Sequence, residues 1–474
     1  MNKKRQLINI GVILFGLSLL MVTIMLLGHF GTNNNNVMAA DERTTLPNII
    51  LIIVDTLRIN HVSTYGYARP TTPHLDGRIA QEGVRFEAHT SSPWTCPSNA
   101  ALMTGRIPSE TGASWETIGD TLPDSEKTLA EYLHEAGYYT AGFTSRPYCI
   151  RGDLGFNQGF DHYDDGLANN NTNGPVRAAD LNLLVTDWLS ASWTPVISGS
   201  QPLFLFTYYF DPHTEYDPPP PYDILYDAAY TGTLTPAIFG HGETAKSGQL
   251  VLSARDLQYL NALYDGEITY WDFYLGQLLD ELESRHLMQN TLIIVTTDHG
   301  EMLGEHGEWS HAGSLYEEVV RVPMLMRYSG VISPGLAVTV PVQTMDLMPT
   351  ILDYVGLSMP TNLQAVSLRP FIEGSRPYTS SRPIYSEVDA VVDPDNPLFW
   401  ASPPDDLRSV NLDGWKYIHH LNQPTASQLY QLQTASIYEK NNLIGQEPEK
   451  HNQLRWHIMD TFLPHQLYLP VEMK

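Results

Sequence analysis

The chain has 474 residues, 42% hydrophobic and 17% charged, a globular balance that excludes wholesale disorder. Its 27 basic residues face 53 acidic ones, giving a formal charge of -26. A surface of that sign repels polyanions and excludes a dedicated nucleic-acid binder, although a bound cation would still admit a small anionic ester.

Lys3, Lys4 and Arg5 precede an uncharged apolar run from Leu7 to Leu27, about the length of a membrane-spanning helix. The basic flank predicts an N-in orientation with the remainder outside the cytoplasm. Val37-Met38-Ala39-Ala40 has the small residues of a signal-peptidase site. The run is long for a signal core, which favours an uncleaved anchor over a cleaved signal peptide. Residues 1–40, including the polar tether Asn33 to Asn36, are therefore set apart from the folded part.

Pro47 to Val54, Leu203 to Phe210 and Leu292 to Thr297 are continuous apolar runs, predicted as strands buried on both faces. Helical patterns lie between them at Glu126 to Ala136, Ala178 to Ser190 and Ala254 to Arg285. This alternation predicts an α/β fold with a largely parallel sheet flanked by helices. Ligands then sit beyond the carboxyl ends of the strands, where Asp55, Asp211 and Asp298 all fall. A helix at Met345 to Val355 closes a main domain of residues 41–374. Short strands at Pro383 to Val388, Arg408 to Asn411 and Trp415 to His420 predict a small C-terminal α+β subdomain over 375–474, with Asp413-Gly414 as a hairpin turn. Cys96 and Cys149 are the only cysteines, so no disulfide framework exists; one bridge between them is open, and two unpaired thiols are the favoured expectation.

Thr95-Cys96-Pro97-Ser98-Asn99 opens a helical stretch that Gly105 stops, with Pro97 expected at the first helical position. Thr95 then lies beside backbone N–H groups that attract anions, unless it serves only as an N-cap. A neutral hydroxyl needs a metal or base to attack. Far downstream, Thr297-Asp298-His299-Gly300-Glu301 ends a strand and runs into Leu303-Gly304-Glu305-His306-Gly307.

Together these two segments resemble the sulfatase family of the alkaline phosphatase superfamily, whose nucleophile motif reads C-x-P-S-R followed by T-G. The resemblance runs from about Asn48 to Leu429-Tyr430 and implies an alkaline phosphatase-like sandwich and an ester hydrolase. It implies that Asp55, Thr95, Asp298 and His299 bind one divalent metal, with Thr95 as nucleophile. Thr95 and Asn99 replace the family's cysteine and arginine, and Cys96 is out of register, so formylglycine is not expected. The lysine and histidine that clamp sulfate in many members are missing from Ala141 to Tyr148. Asn99 and Arg146 are then the expected substrate contacts.

Two oxygens and an imidazole suit zinc or manganese, whereas calcium is the family's usual ion. Trp309-Ser310-His311 ends in an imidazole where a lysine is expected, and Asp211-Pro212-His213 resembles the segment whose histidine meets the anion. Two arrangements are open. Asp211, His213 and His311 hold a second metal, or His213 and His311 donate to the anion and leaving group, with His311 as general acid. Arg58 and His61 are candidates to orient Asp55, and Glu301, Glu305 and His306 for supporting contacts.

The implied activity is hydrolysis of sulfuric or phosphoric esters through a covalent threonine ester, phosphoesters (diesters included) slightly favoured. The substrate class is a small anionic ester or a glycan- or lipid-linked one. Membrane contact is confined to the N-terminal segment, and no protein partner is predicted. A head-group phosphotransferase and a non-catalytic binding protein are the alternatives.

Overall fold

The computed structural model describes residues 46–114, 120–145, 150–168, 176–191, 201–239, 245, 248–376, 382–390, 405–432 and 439–463. Contacts divide the chain into Met1–Leu46 and Pro47–Lys474, and everything below concerns the second unit. The expected anchor, Arg146 and Cys149 lie outside the described residues. Among the described residues, no helix is long and apolar enough to cross a membrane.

In chain order the strands are β1 (Asn48–Val54), β2 (Val84–His89), β3 (Tyr139–Thr144), β4 (His162–Asp164), β5 (Leu203–Tyr209), β6 (Thr291–Thr297), β7 (Met302–Leu303), β8 (Trp309–Ser310), β9 (Arg321–Tyr328), β10 (Leu336–Gln343), β11 (Ile384–Val388), β12 (Leu407–Leu412), β13 (Trp415–His420) and β14 (Gln428–Gln431). Eight of them form one sheet in the order β10-β2-β9-β6-β1-β5-β3-β4. Only β9 runs against its neighbours, so the sheet is mixed and mostly parallel.

Burial on both faces explains the unbroken apolar strands. Along β1, Ile49, Leu51 and Ile53 enter one core, while Ile50, Ile52 and Val54 enter the other. Alternate side chains of a strand face opposite ways, so each face receives every second residue. Helices Thr95–Thr104, Leu129–Glu135 and Leu347–Tyr354 cover the first face. Ala178–Ala191 and the long helix Ala254–Ser284 cover the second. The long helix starts at a reciprocal cap between Ser253 and Asp256 and buries Leu260, Leu263, Tyr264, Ile268, Trp271 and Leu275 on one stripe.

Strands β11 to β14 form a second, antiparallel sheet in sequential order. Asp413 and Gly414 turn β12 into β13 with positive φ values of 53° and 76°, the conformation a two-residue hairpin loop demands. Helix Pro448–Phe462 packs on this sheet through Leu454 and Ile458. Cys96 is disulfide-bonded, which corrects the expectation of unpaired thiols.

Lys416 on β13 is fully buried, and its Nζ lies 2.8 Å from both Glu317 Oε1 and Glu439 Oε1. Burial pushes Glu317 upward, but Lys416 and His89 outweigh it and hold this carboxyl well below its usual range. Removing one partner of such a group leaves uncompensated buried charge. Lys416→Met should therefore cost about 3–5 kcal/mol of stability in urea unfolding at neutral pH. A loss below about 1 kcal/mol would show that the lysine is not what balances these carboxylates.

Candidate active site

Register alone brings the two principal carboxylates together. Val54 at the end of β1 lies opposite Tyr209 of β5 on one side and Thr297 of β6 on the other. Asp55 and Asp298 therefore leave neighbouring parallel strands at the same level. The turn after Asp298 is pinned because Gly300 N–H donates to Val319 O at 2.8 Å. A Cβ on Gly300 would sit 2.1 Å from the Glu318 carbonyl oxygen, so only glycine fits this approach.

Thr95 arrives from the helix Thr95–Thr104. Its N-cap is Trp94, which makes no side-chain cap, and Gly105 ends the helix at φ 69°. The helix starts two residues earlier than expected, and Pro97 is tolerated because first-turn N–H groups have no helical acceptor. Thr95 is not the N-cap, so its hydroxyl is not spent on capping. Thr95 Oγ1 lies 3.4 Å from His299 Nε2.

Around that nitrogen, Asp55 Oδ1 stands at 3.6 Å and Asp298 Oδ2 at 3.5 Å. One ligand atom from each of Asp55, Asp298 and His299 lies within 4.8 Å of the others, and all three residues are buried. His299 Nδ1 is 2.9 Å from the Gly300 carbonyl, to which it can only donate. That bond fixes the tautomer and leaves the Nε2 lone pair facing the carboxylates. Asp298 accepts from Tyr208 Oη at 2.8 Å and from its neighbour's His299 N–H at 2.8 Å.

Asp55 Oδ1 is buried and accepts no hydrogen bond. Burial, and next the charge of Asp298, push the Asp55 carboxyl well above its usual range. Two crowded carboxylates, an orphaned oxygen and an imidazole lone pair form a donor set that a divalent cation satisfies. The residues fit the metal that the sequence implied, and mixed oxygen and nitrogen donors suit zinc or manganese.

Asn99 is fully buried; its Nδ2 donates to Thr95 O at 2.8 Å and approaches Asp298 Oδ2 at 3.4 Å, while its Oδ1 has no partner. It stands inside the cluster rather than at a rim. His311 and His213 come together, with ring centroids 5.0 Å apart, and the His299 ring lies 4.4 Å from that of His311. Glu301 Oε1 faces His311 Nδ1 at 3.0 Å, and His213 Nδ1 faces Thr214 O at 2.7 Å.

Asp211 does not join these histidines. Its Oδ2 accepts from Ala178 N at 2.7 Å, and among the described residues Asp211, His213 and His311 form no convergent ligand group. Of the two arrangements the sequence left open, this geometry does not assemble the second metal set among the described residues. Arg58 and His61 do not orient Asp55 either. Arg58 donates to Glu301 O at 3.0 Å and pairs with Glu305 at 2.9 Å, while His61 pairs with Asp265 at 2.6 Å. Sequence reasoning missed Tyr208, although two tyrosines ending an otherwise aliphatic and phenylalanine strand were a visible signal.

The sulfatase family model matches residues 47–357, and a model for the C-terminal part of N-sulphoglucosamine sulphohydrolase matches 304–462. An arylsulfatase of Clostridium perfringens is 27% identical over 390 residues, covering 69% of this chain and 78% of its own. A multifunctional alkaline phosphatase superfamily protein of Trinickia caryophylli is 25% identical, covering 85% of this chain and 92% of its own. A structure solved with its substrate D-glucosamine-2-N,6-O-disulfate superposes with TM-score 0.73 at 20% identity, over 90% of this chain and 100% of the other.

The Asp211 environment carries a pH signature. Burial pushes its carboxyl up to about 7, and burial plus the Asp211 charge raises Glu267. A carboxyl with a raised folded-state pKa is most favourable below its unfolded value of about 3.9. Its contribution is lost as pH rises from there through about 7. Asp211→Asn, which can still accept from Ala178 N–H, should flatten the fall in stability across that window. An unchanged slope in urea unfolding at a series of pH values would locate the titration elsewhere.

Proposed function

The chain belongs to the sulfatase family of the alkaline phosphatase superfamily and is an ester hydrolase, and from that premise we propose that Thr95 is its nucleophile. One observation carries the proposal. The Thr95 hydroxyl, free of capping duty, meets His299 Nε2 where both buried aspartates converge.

Asp55, Asp298 and His299 would hold the divalent cation, with Thr95 Oγ1 as a further donor. Such an ion, when bound, lowers the pKa of a nearby hydroxyl and neutralises an ester oxygen. The positive end of the dipole of helix Thr95–Thr104 favours the ester's anionic oxygens at the same place. Thr95 gives up its hydroxyl proton to solvent water, and Oγ1 forms a bond to sulfur or phosphorus as the bond to the leaving oxygen breaks. His311 supplies the leaving oxygen's proton, with Glu301 holding the Nδ1 proton so that Nε2 exchanges. Water then cleaves the threonine ester and restores Thr95.

The names of the arylsulfatase and of the glucosamine disulfate complex favour sulfate. Thr95 in place of the formylglycine precursor and Asn99 in place of arginine favour phosphorus, with diesters included. The basic flank and apolar run of residues 3–27 support an extracytoplasmic, anchored enzyme.

Thr95→Ala should lower turnover at least about 10³-fold even when excess metal reloads Asp55, Asp298 and His299, with loading checked by plasma emission. Retained turnover would remove Thr95 from the reaction. His311→Gln should cost about 10²–10⁴-fold in kcat on alkyl esters and little on nitrophenyl esters, whose leaving groups need no proton. Equal losses on both would deny His311 the acid role. A panel of aryl sulfate, phosphate monoester and phosphodiester substrates tests the class. Turnover of aryl sulfate alone would overturn the preference for phosphorus.

A further inference from the structure

A second group of ligand atoms lies outside the catalytic cluster. His306, Glu318 and Glu439 each place one donor within 4.8 Å of the others. Glu318 is 1% exposed, and neither of its carboxylate oxygens has a hydrogen-bond partner. His306 Nε2 lies 3.5 Å from its Oε1. A buried carboxylate left without donors is costly unless a cation compensates it. Glu439 is also buried and takes Lys416 and the Glu317 N–H as partners.

Charge points the same way. Glu317 and Glu439 share the buried Lys416, and Glu318 adds a third carboxylate that this lysine does not pair. Negative charge is thus in excess around the group, which favours a cation there. The group borders an open cavity of about 460 Å³ lined by Glu305, His306, Glu439 and Lys440, which gives an ion a way in. The His306 side chain is 17% exposed on that side.

We propose that His306, Glu318 and Glu439 form a second divalent-cation site, taking zinc or a similar borderline transition metal. One imidazole and two carboxylates match that preference. The ion would tie the Glu305–Gly307 turn to Glu318 and to the segment carrying Glu439. Beside it, Glu305 pairs with Arg58, which donates to the carbonyl of Glu301, the residue that faces His311. Occupancy therefore steadies the support of His311 without touching substrate. The rival occupant is a proton on His306, pairing with Glu318 directly.

Equilibrium dialysis of the full chain against zinc, read by plasma emission, separates these cases. The wild type should hold two zinc ions per chain, Asp298→Asn one, and Asp298→Asn with His306→Ala none. Cobalt(II) added to Asp298→Asn should give visible d–d absorption that the further change Glu318→Gln removes. Circular dichroism checks that each variant is folded. Wild-type content retained by both His306→Ala and Glu318→Gln, or no zinc in folded Asp298→Asn, overturns the proposal. One zinc in wild type, kept by Asp298→Asn and lost in His306→Ala, would support this site and sink the catalytic metal instead.

Discussion

Repulsion between two buried carboxylates is the constraint on which this molecule turns. Asp55 and Asp298 leave adjacent parallel strands at one level, and neither can retreat without breaking the strand register. In a buried setting their mutual repulsion far exceeds what water would allow. Tyr208, the His299 N–H and the Asn99 amide relieve Asp298, while Asp55 Oδ1 keeps an unmet demand. This donor set is electrostatically incomplete by itself, and a divalent cation would complete it.

The layers around the sheet exist to hold that incompleteness in place. Both faces of β1 and β6 are sealed by helices, so the strand ends cannot splay to let the charges separate. The Thr95 helix comes from one layer and the Asp211 and Arg58 segments lean on the long helix of the other. Tyr264 of that helix accepts no compromise of position, since its hydroxyl donates to Thr56 O at 2.6 Å and receives from Arg58 N at 2.9 Å. Site precision here is inherited from core packing.

Much of this was legible in the chain because the strongest signals are local. Continuous apolar runs identified β1, β5 and β6, and the aspartates closing β1 and β6 marked the site. The reversed strand β9 and its neighbours β2 and β10 toward one edge were not identified, because β2 and β10 alternate buried and exposed residues over short lengths. Tyr208 escaped because pairing a phenol with a carboxylate 90 residues away leaves no periodic trace. Asp211 misled for the opposite reason. It ends a strand like its two counterparts, but a backbone N–H from Ala178 captures it first. Arg58 and His61 follow Asp55 closely in sequence, yet the turn after β1 directs them to Glu301, Glu305 and Asp265 instead.

The cross-link at Cys96 sits one residue from Thr95. A cystine survives only where ambient thiols do not exchange it away. Reductant would therefore act on the first turn of the very helix that presents Thr95, and not on some remote surface loop. The placement of Thr95 in this chain is thereby tied to the redox poise of its surroundings, a dependence that a thiol-rich milieu would expose.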